Sequence, residues 1–196
     1  MPGSGTEIVA AVPDADRIVL THGHVDHIGS AAELRESTGA SVMAGAGDAA
    51  VIRGEADMPP PVFEDWEIPI YERISATLPH AAPAVPVDRE LTDGDVLDFG
   101  GGAHVLAAPG HTEGSIAVYL PEHGVLFAGD TIANVSEVML GVFNQDRARA
   151  VASFQRMAAL DVDTVCVGHG EPIQGGAGDR LREVVRTRGA VWVLPH

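Results

Sequence analysis

Apolar residues along this chain come in short bursts, and four of these bursts run into polar loops rich in glycine and histidine or aspartate. Arg17-Ile18-Val19-Leu20 is an aliphatic, β-branched run of strand length that stops at Thr21-His22-Gly23-His24-Val25-Asp26-His27. Val105-Leu106-Ala107-Ala108 leads into Pro109-Gly110-His111-Thr112, Val125-Leu126-Phe127-Ala128 into Gly129-Asp130-Thr131, and Thr164-Val165-Cys166-Val167 into Gly168-His169-Gly170. A residue without Cβ lets the backbone turn sharply and approach closely whatever the neighbouring side chain holds. Between the strands the periodicity becomes helical. Ser30 with Glu33 three residues later has the form of a capping box opening a helix over Ala31 to Ser37, which stops before Gly39. Thr6 to Val12, Asp146 to Leu160 and Asp179 to Arg188 read as further helices, and Ser115 to Leu120 with Val125 to Phe127 as a hairpin across Pro121 to Gly124. Strands mixed with helices in this way place the chain in the α/β class.

The run from His22 to His27 adds chemistry to this pattern. It packs three imidazoles and one carboxylate into six residues, the donors that zinc, iron or manganese accept. With 9 His and 15 Asp in 196 residues, H-x-H-x-D-H arises by chance on the order of once per thousand such chains. Alternation along the extended segment aims His22 and His24 to one side, and the turn into the following helix brings Asp26 and His27 to a second point nearby. A second metal needs more donors, and His111, Asp130 and His169 stand at the ends of three other strands. His80, His104, His123 and His196 match no such pattern and read as surface residues, as do Glu113 and Asn134. Thr21 and Thr112 either hydrogen-bond the ligands or merely satisfy strand and turn preferences. Cys166, inside an apolar run, reads as a small core residue rather than a nucleophile.

The pieces T-H-G-H-V-D-H, P-G-H-T-E-G-S, F-A-G-D-T and G-H-G-E-P, spread from Thr21 to about Pro172, resemble the metallo-β-lactamase superfamily. The resemblance implies a four-layer αββα sandwich with a dinuclear site at one edge of its two sheets. It implies a first metal on His22, His24 and His111, a second on Asp26, His27 and His169, and Asp130 bridging both. Two zinc ions are expected, with iron or manganese as substitutes, and Asp26 and Asp130 are the expected catalytic carboxylates. The implied reaction uses metal-activated hydroxide to hydrolyse an ester, thioester, lactone or similar bond in a small molecule. Asp130 argues against β-lactamase activity, because zinc β-lactamases of the family generally lack the bridging Asp. Relatives acting on glutathione thioesters carry an additional C-terminal helical region, which this chain stops short of; the lactonases have a Tyr soon after the bridging Asp, where this chain has Ile132-Ala133-Asn134. The alternative from the same family is a persulfide-dioxygenase-like enzyme with one iron on His22, His111 and Asp130. Family members also place strands before the His loop, and 20 residues precede Thr21 here. The expectation is therefore an N-terminally truncated sandwich whose exposed sheet edge pairs two copies into a homodimer. A catalytically weak metal-binding fragment or interaction module is the corresponding non-enzymatic reading.

Composition narrows the partners. The formal net charge is -16 and all 12 basic residues are Arg. That disfavours nucleic acid, which needs clustered basic residues against phosphates. Arg180, Arg182, Arg186 and Arg188 read as a solvated helix face. No stretch of about 18 apolar residues and no leader pattern is present, so no membrane association is expected and the default compartment is the cytoplasm. The single cysteine fits it. One domain over 1–196 is expected, with a Pro-rich insertion at about 45–88 that carries Phe63, Trp66 and Tyr71. That insertion is either a substrate lid or pocket wall of partly apolar character, or a surface excursion packing its aromatics on the core.

Overall fold

In the computed structural model, which describes residues 3–188, each apolar burst is a strand. Helix α1 (Gly5–Ala11) precedes β1 (Arg17–Leu20); a one-turn helix α2 (Val25–Ile28) and α3 (Ala31–Thr38) follow, then β2 (Ser41–Gly45). The insertion holds two short helices, α4 (Ala49–Ile52) and α5 (Ile68–Ser75), and ends at β3 (Arg89–Leu91). Strands β4 (Val96–Leu97), β5 (Ala103–Ala107), β6 (Ile116–Leu120) and β7 (Val125–Gly129) come next, with a small hairpin of β8 (Ile132–Asn134) and β9 (Val138–Leu140). Helix α6 (Arg147–Ala158), β10 (Thr164–Val167), β11 (Ile173–Gln174) and α7 (Ala177–Arg188) complete the chain.

Two sheets form the centre. One is parallel, in the order β1-β2-β3; the other is mixed, in the order β11-β10-β7-β6-β5-β4. Period-two alternation splits each strand between two cores. Met43 of β2 and Leu91 of β3 meet Val105 of β5 and Ile116 and Val118 of β6, which makes the layer between the sheets. Val42 and Ala44 point the other way, against Ile28, Ala31 and Ile52 of α2, α3 and α4. Ala117 and Leu126 on the outer face of the second sheet meet Phe154 and Met157 of α6 and Leu181 of α7. Helix, sheet, sheet, helix is the four-layer αββα order.

Topology then decides where the polar strand ends lie. Strands β7 and β10 are parallel, and β5 lies antiparallel to β6, which is antiparallel to β7. The C-terminal ends of β5, β7 and β10 therefore emerge on one side of the sheet. The β1 end joins them because Ile116 N donates to Thr21 O at 2.8 Å, tying the two sheets together beside the His loop.

One local expectation is corrected. Ser30 makes no side-chain capping bond to α3, and Glu33 takes a hydrogen bond from Thr6 Oγ1 at 3.2 Å. Packing of α1 on α3 draws Glu33 away: a Cβ on Gly5 would stand 2.0 Å from its Oε2. Asp146 does cap α6, accepting from Arg149 N at 3.0 Å. Arg180, Arg182 and Arg186 are exposed on α7, with Arg182 bonded to Asp179 and Arg186 to Glu183. His80, His104 and His123 are exposed, and His196 lies outside the described residues.

The entry to β3 is held by one carboxylate. Asp88 accepts from Val42 N at 2.7 Å and forks onto the Arg35 guanidinium, joining β2 and α3 to the start of β3. The Arg35 hydrogen bond and the Val42 N–H hold its carboxyl down at about 2. A carboxyl depressed in the folded state stabilises fully above its unfolded pKa, about 3.9, and loses that contribution as pH falls through the folded value. Asp88→Asn is thus expected to lower the thermal unfolding midpoint at pH 6, with the gap to wild type closing between about pH 4 and pH 2. A gap constant across that window would show that the ion pair and amide bond do not act through the charge.

Candidate metal centre

The four strand ends deliver seven donor side chains to one place. After β1 the backbone stays extended through His24, whose φ of -69° and ψ of 147° place it as the N-cap of α2. His22 and His24 leave this segment before the helix begins, whereas Asp26 and His27 leave from α2 itself. His111 follows Gly110, whose φ of +127° suits only glycine and whose Cβ would stand 2.1 Å from Ala150 N of α6. Asp130 follows β7 and His169 follows β10.

The donors separate into overlapping groups. His22, His24 and His111 form one, Asp26, His27 and His169 another, and His22, His27 and Asp130 join them, each with its donor atoms within 4.8 Å of one another. His24 Nδ1 and His111 Nε2 face each other at 2.9 Å. Asp130 Oδ2 lies 3.6 Å from His111 Nε2 and 3.2 Å from His169 Nε2, and its Oδ1 lies 3.3 Å from His27 Nε2, so one carboxylate touches both groups. Asp26 Oδ2 sits 3.2 Å from His169 Nε2 and 3.5 Å from His27 Nε2. The structure brings together all seven residues singled out from the sequence.

Burial gives the two groups opposite electrostatic character. Desolvation pushes His22 well below the ordinary imidazole range, lowers His24, and takes His111 down to about 4. These rings are neutral at pH 7 and present lone pairs. Burial alone would raise Asp130, but hydrogen bonds to His169 and His27 and the surrounding imidazoles carry it well below the carboxylate range. Asp26 is lowered in the same way by His169 and His27 against its own desolvation. Squeezed between Asp130 and Asp26, His169 rises to about 10. A proton on His169 balances two carboxylates where a cation would otherwise do so.

A divalent metal fits this donor set. His22 Nε2 is buried without a hydrogen-bond partner and points into the cluster, so a neutral lone pair is left for a cation. Neutral imidazole nitrogens and ionised carboxylates in two groups are the ligands that zinc, iron and manganese accept.

The surroundings separate the remaining sequence candidates. Thr21 Oγ1 reaches His22 Nδ1 at 3.2 Å, so it orients a donor of the cluster. Thr112 Oγ1 touches no ligand; it bonds Asp48 Oδ2 at 2.6 Å and Ser115 Oγ at 2.7 Å. Glu113 pairs with Arg149, and Asn134 Nδ2 donates to Glu171 O at 2.7 Å. From the insertion, Met58 lies over the His loop, its Cε 2.9 Å from where a Gly23 Cβ would be. Phe63 and Tyr71 meet each other at 4.7 Å between centroids and meet Phe143 edge-on at 6.3 and 5.3 Å, rather than entering the main cores.

Sequence reasoning missed two buried carboxylates. Asp48 is 2% exposed and Glu67 is 1% exposed, and both accept backbone N–H bonds from distant loops. Only the burial of an acid within an otherwise apolar or glycine-rich stretch, Ala-Gly-Ala-Gly-Asp48-Ala-Ala, hinted at the first.

Comparisons with known proteins agree with this geometry. The family model for the metallo-beta-lactamase superfamily matches residues 6–169. A hydroxyacylglutathione hydrolase of Rhodobacter capsulatus is 33% identical over 185 residues, covering 87% of this chain and 59% of that protein. The probable metallo-hydrolase YflN of Bacillus subtilis (strain 168) is 28% identical, covering 81% of this chain and 65% of that protein. The chain thus spans less than two thirds of the length of these curated relatives. Among solved structures, TTHA1623 in a di-iron-bound form is 27% identical with a TM-score of 0.63, covering 95% of this chain and 85% of that one. BLEG-1, a B3 metallo-beta-lactamase, is 22% identical with a TM-score of 0.70, covering 96% and 85%, a likeness of fold alone. With its sandwich, its gathered strand-end donors and a family match across most of its length, the chain belongs to the metallo-β-lactamase superfamily.

Proposed function

We propose that this chain is a metal-dependent hydrolase that cleaves an ester-type acyl bond, a thioester foremost, in a small molecule, with two divalent cations held by the seven gathered side chains. The observation that carries this reading is the division of the donors into two groups with Asp130 reaching both. A single iron on His22, His111 and Asp130 would leave the Asp26–His27–His169 group without a role, so the two-cation reading is favoured. The relatives named as hydroxyacylglutathione hydrolases support a thioester, and the di-iron form of TTHA1623 keeps iron beside zinc and manganese as the metal.

Bound at such a site, two divalent cations acidify water and polarise a carbonyl, which are the two requirements of acyl hydrolysis. The chain's own residues supply the rest. His22, His24 and His111 are neutral and buried, so they present lone pairs without proton loss at pH 7. Asp26 and Asp130 remain ionised and can accept a hydrogen bond from the attacking water, fixing its orientation. Burial raises the Cys166 thiol, which makes it a poor nucleophile. Met58 packs against Gly23 of the His loop, on the face that carries Asp48.

Purified protein is expected to carry two metal ions per chain. Its turnover on a panel of esters, lactones and thioesters is expected to fall by about 10²-fold or more on chelation and to return with added metal. One iron with no zinc would overturn the two-cation reading, and two ions with no turnover across the panel would overturn the hydrolase reading in favour of a metal-binding module. A second expectation concerns Gly168. A Cβ there would stand 1.8 Å from Asp130 Oδ1 and 2.9 Å from His27 Cε1, side-chain atoms of the cluster itself. Gly168→Ala should therefore weaken metal binding by about 10- to 100-fold in a chelator competition titration. Its unfolding midpoint in excess chelator should stay close to wild type; wild-type metal affinity would show that Asp130 is not the shared ligand.

A further inference from the structure

Asp48 ends the single 3-10 turn Ala46–Asp48 that follows β2, and it is 2% exposed. Its Oδ2 accepts from Gly23 N at 2.8 Å and from Thr112 Oγ1 at 2.6 Å, and its Oδ1 accepts from Gly114 N at 2.7 Å. All three donors are neutral. Burying a carboxylate away from a cation is costly, and here directed hydrogen bonds from two loops offset that cost.

The identity of those loops gives the carboxylate its meaning. Gly23 lies between His22 and His24, and Thr112 and Gly114 follow His111. One side chain thus ties the backbone carrying two ligands of the three-histidine group to the backbone carrying the third. The approach leaves no slack: a Cβ on Gly45 would stand 2.0 Å from Gly114 O, and one on Gly114 would stand 2.1 Å from Asp48 N. These three hydrogen bonds of Asp48 all go to the loops that carry His22, His24 and His111, and not to α2 or the loops that carry Asp130 and His169.

We propose that Asp48 is the positioning residue of the three-histidine group, setting the spacing of His22 and His24 against His111 and so the affinity of that cation site, with little influence on the Asp26–His27–His169 site. Its buried negative charge also favours a cation beside it. The inference rests on the two-cation reading above.

The test is a zinc titration against a chromophoric chelator, run on wild type, Asp48→Asn and Thr112→Val. Each is also placed in a His169→Ala background, which leaves the three-histidine site, and in a His111→Ala background, which leaves the other. Asn puts an N–H₂ where one carboxylate oxygen accepted, so one of the two backbone tethers is lost. In the His169→Ala background, Asp48→Asn is expected to weaken zinc binding by about 10- to 100-fold and Thr112→Val by less, while both change the other site by about twofold at most. Circular dichroism in chelator checks folding; if Asp48→Asn does not fold, Thr112→Val decides, because it leaves the carboxylate bonded to both amides. Unchanged affinity at the three-histidine site, or equal weakening at both sites, overturns the proposal alone. A wild-type chain that binds no zinc, iron or manganese removes the two-cation reading and this proposal together.

Discussion

Two carboxylates, Asp26 and Asp130, each stand 3.2 Å from the same nitrogen of His169, and the rest of the centre depends on that excess of negative charge. Desolvation opposes an anion at both positions, yet both carboxyls are held below their ordinary range, which requires positive charge between them. A protonated His169 meets the requirement, and a divalent cation held there would meet it in its place. The histidines on the far side are dry and neutral and could not provide that charge themselves. The centre is therefore polarised, with an anionic half near the surface and a neutral, buried half behind it.

Such an arrangement is possible only because the backbone brings four strand ends together. Parallel pairing of β7 with β10 sends Asp130 and His169 out of the same edge, and the antiparallel step through β6 returns β5 to it with His111. The His loop arrives from the other sheet and is fastened by the Ile116 N to Thr21 O bond. Glycine is needed beside these ligands because loops from different strands come within van der Waals distance. The polar chemistry and the sandwich are thus one constraint: separating the sheets would separate His22 from His111.

This dependence explains what was legible in the sequence. Strands β1, β5, β7 and β10 were visible because apolar runs end at glycine and a ligand, and the seven donors were visible because each follows such a run. The capping box was not, because the rule is local and Glu33 is claimed by α1, 27 positions from Thr6. Asp48 left only the hint of an acid in an apolar, glycine-rich stretch, for a related reason. Its partners stand 25 and 66 positions away, and a residue whose task is to accept backbone N–H bonds leaves no motif. Glu67 is the same case: its Oε1 accepts from Phe143 N, 76 positions on, at a residue whose φ of 60° needs such support.

The Pro-rich stretch at 45–88 contains two parts with different mechanics. Its opening residues, Gly45 to Asp48, belong to the floor of the centre. Its middle is fastened to the segment before α6: Gln145 Nε2 donates to Pro59 O at 2.9 Å, Val62 N to Asn144 O at 2.9 Å, and Phe143 N to Glu67 at 3.0 Å. That segment is itself bonded to the His111 loop, with Gln145 N on His111 O at 3.2 Å and Asp146 N on Gly110 O at 2.8 Å. A swing of Met58 away from the His loop would therefore have to break these bonds or carry 143–146, and with it the His111 loop. The bonding opposes a freely hinged movement of this stretch, because the backbone it is fastened to also holds His111 in place.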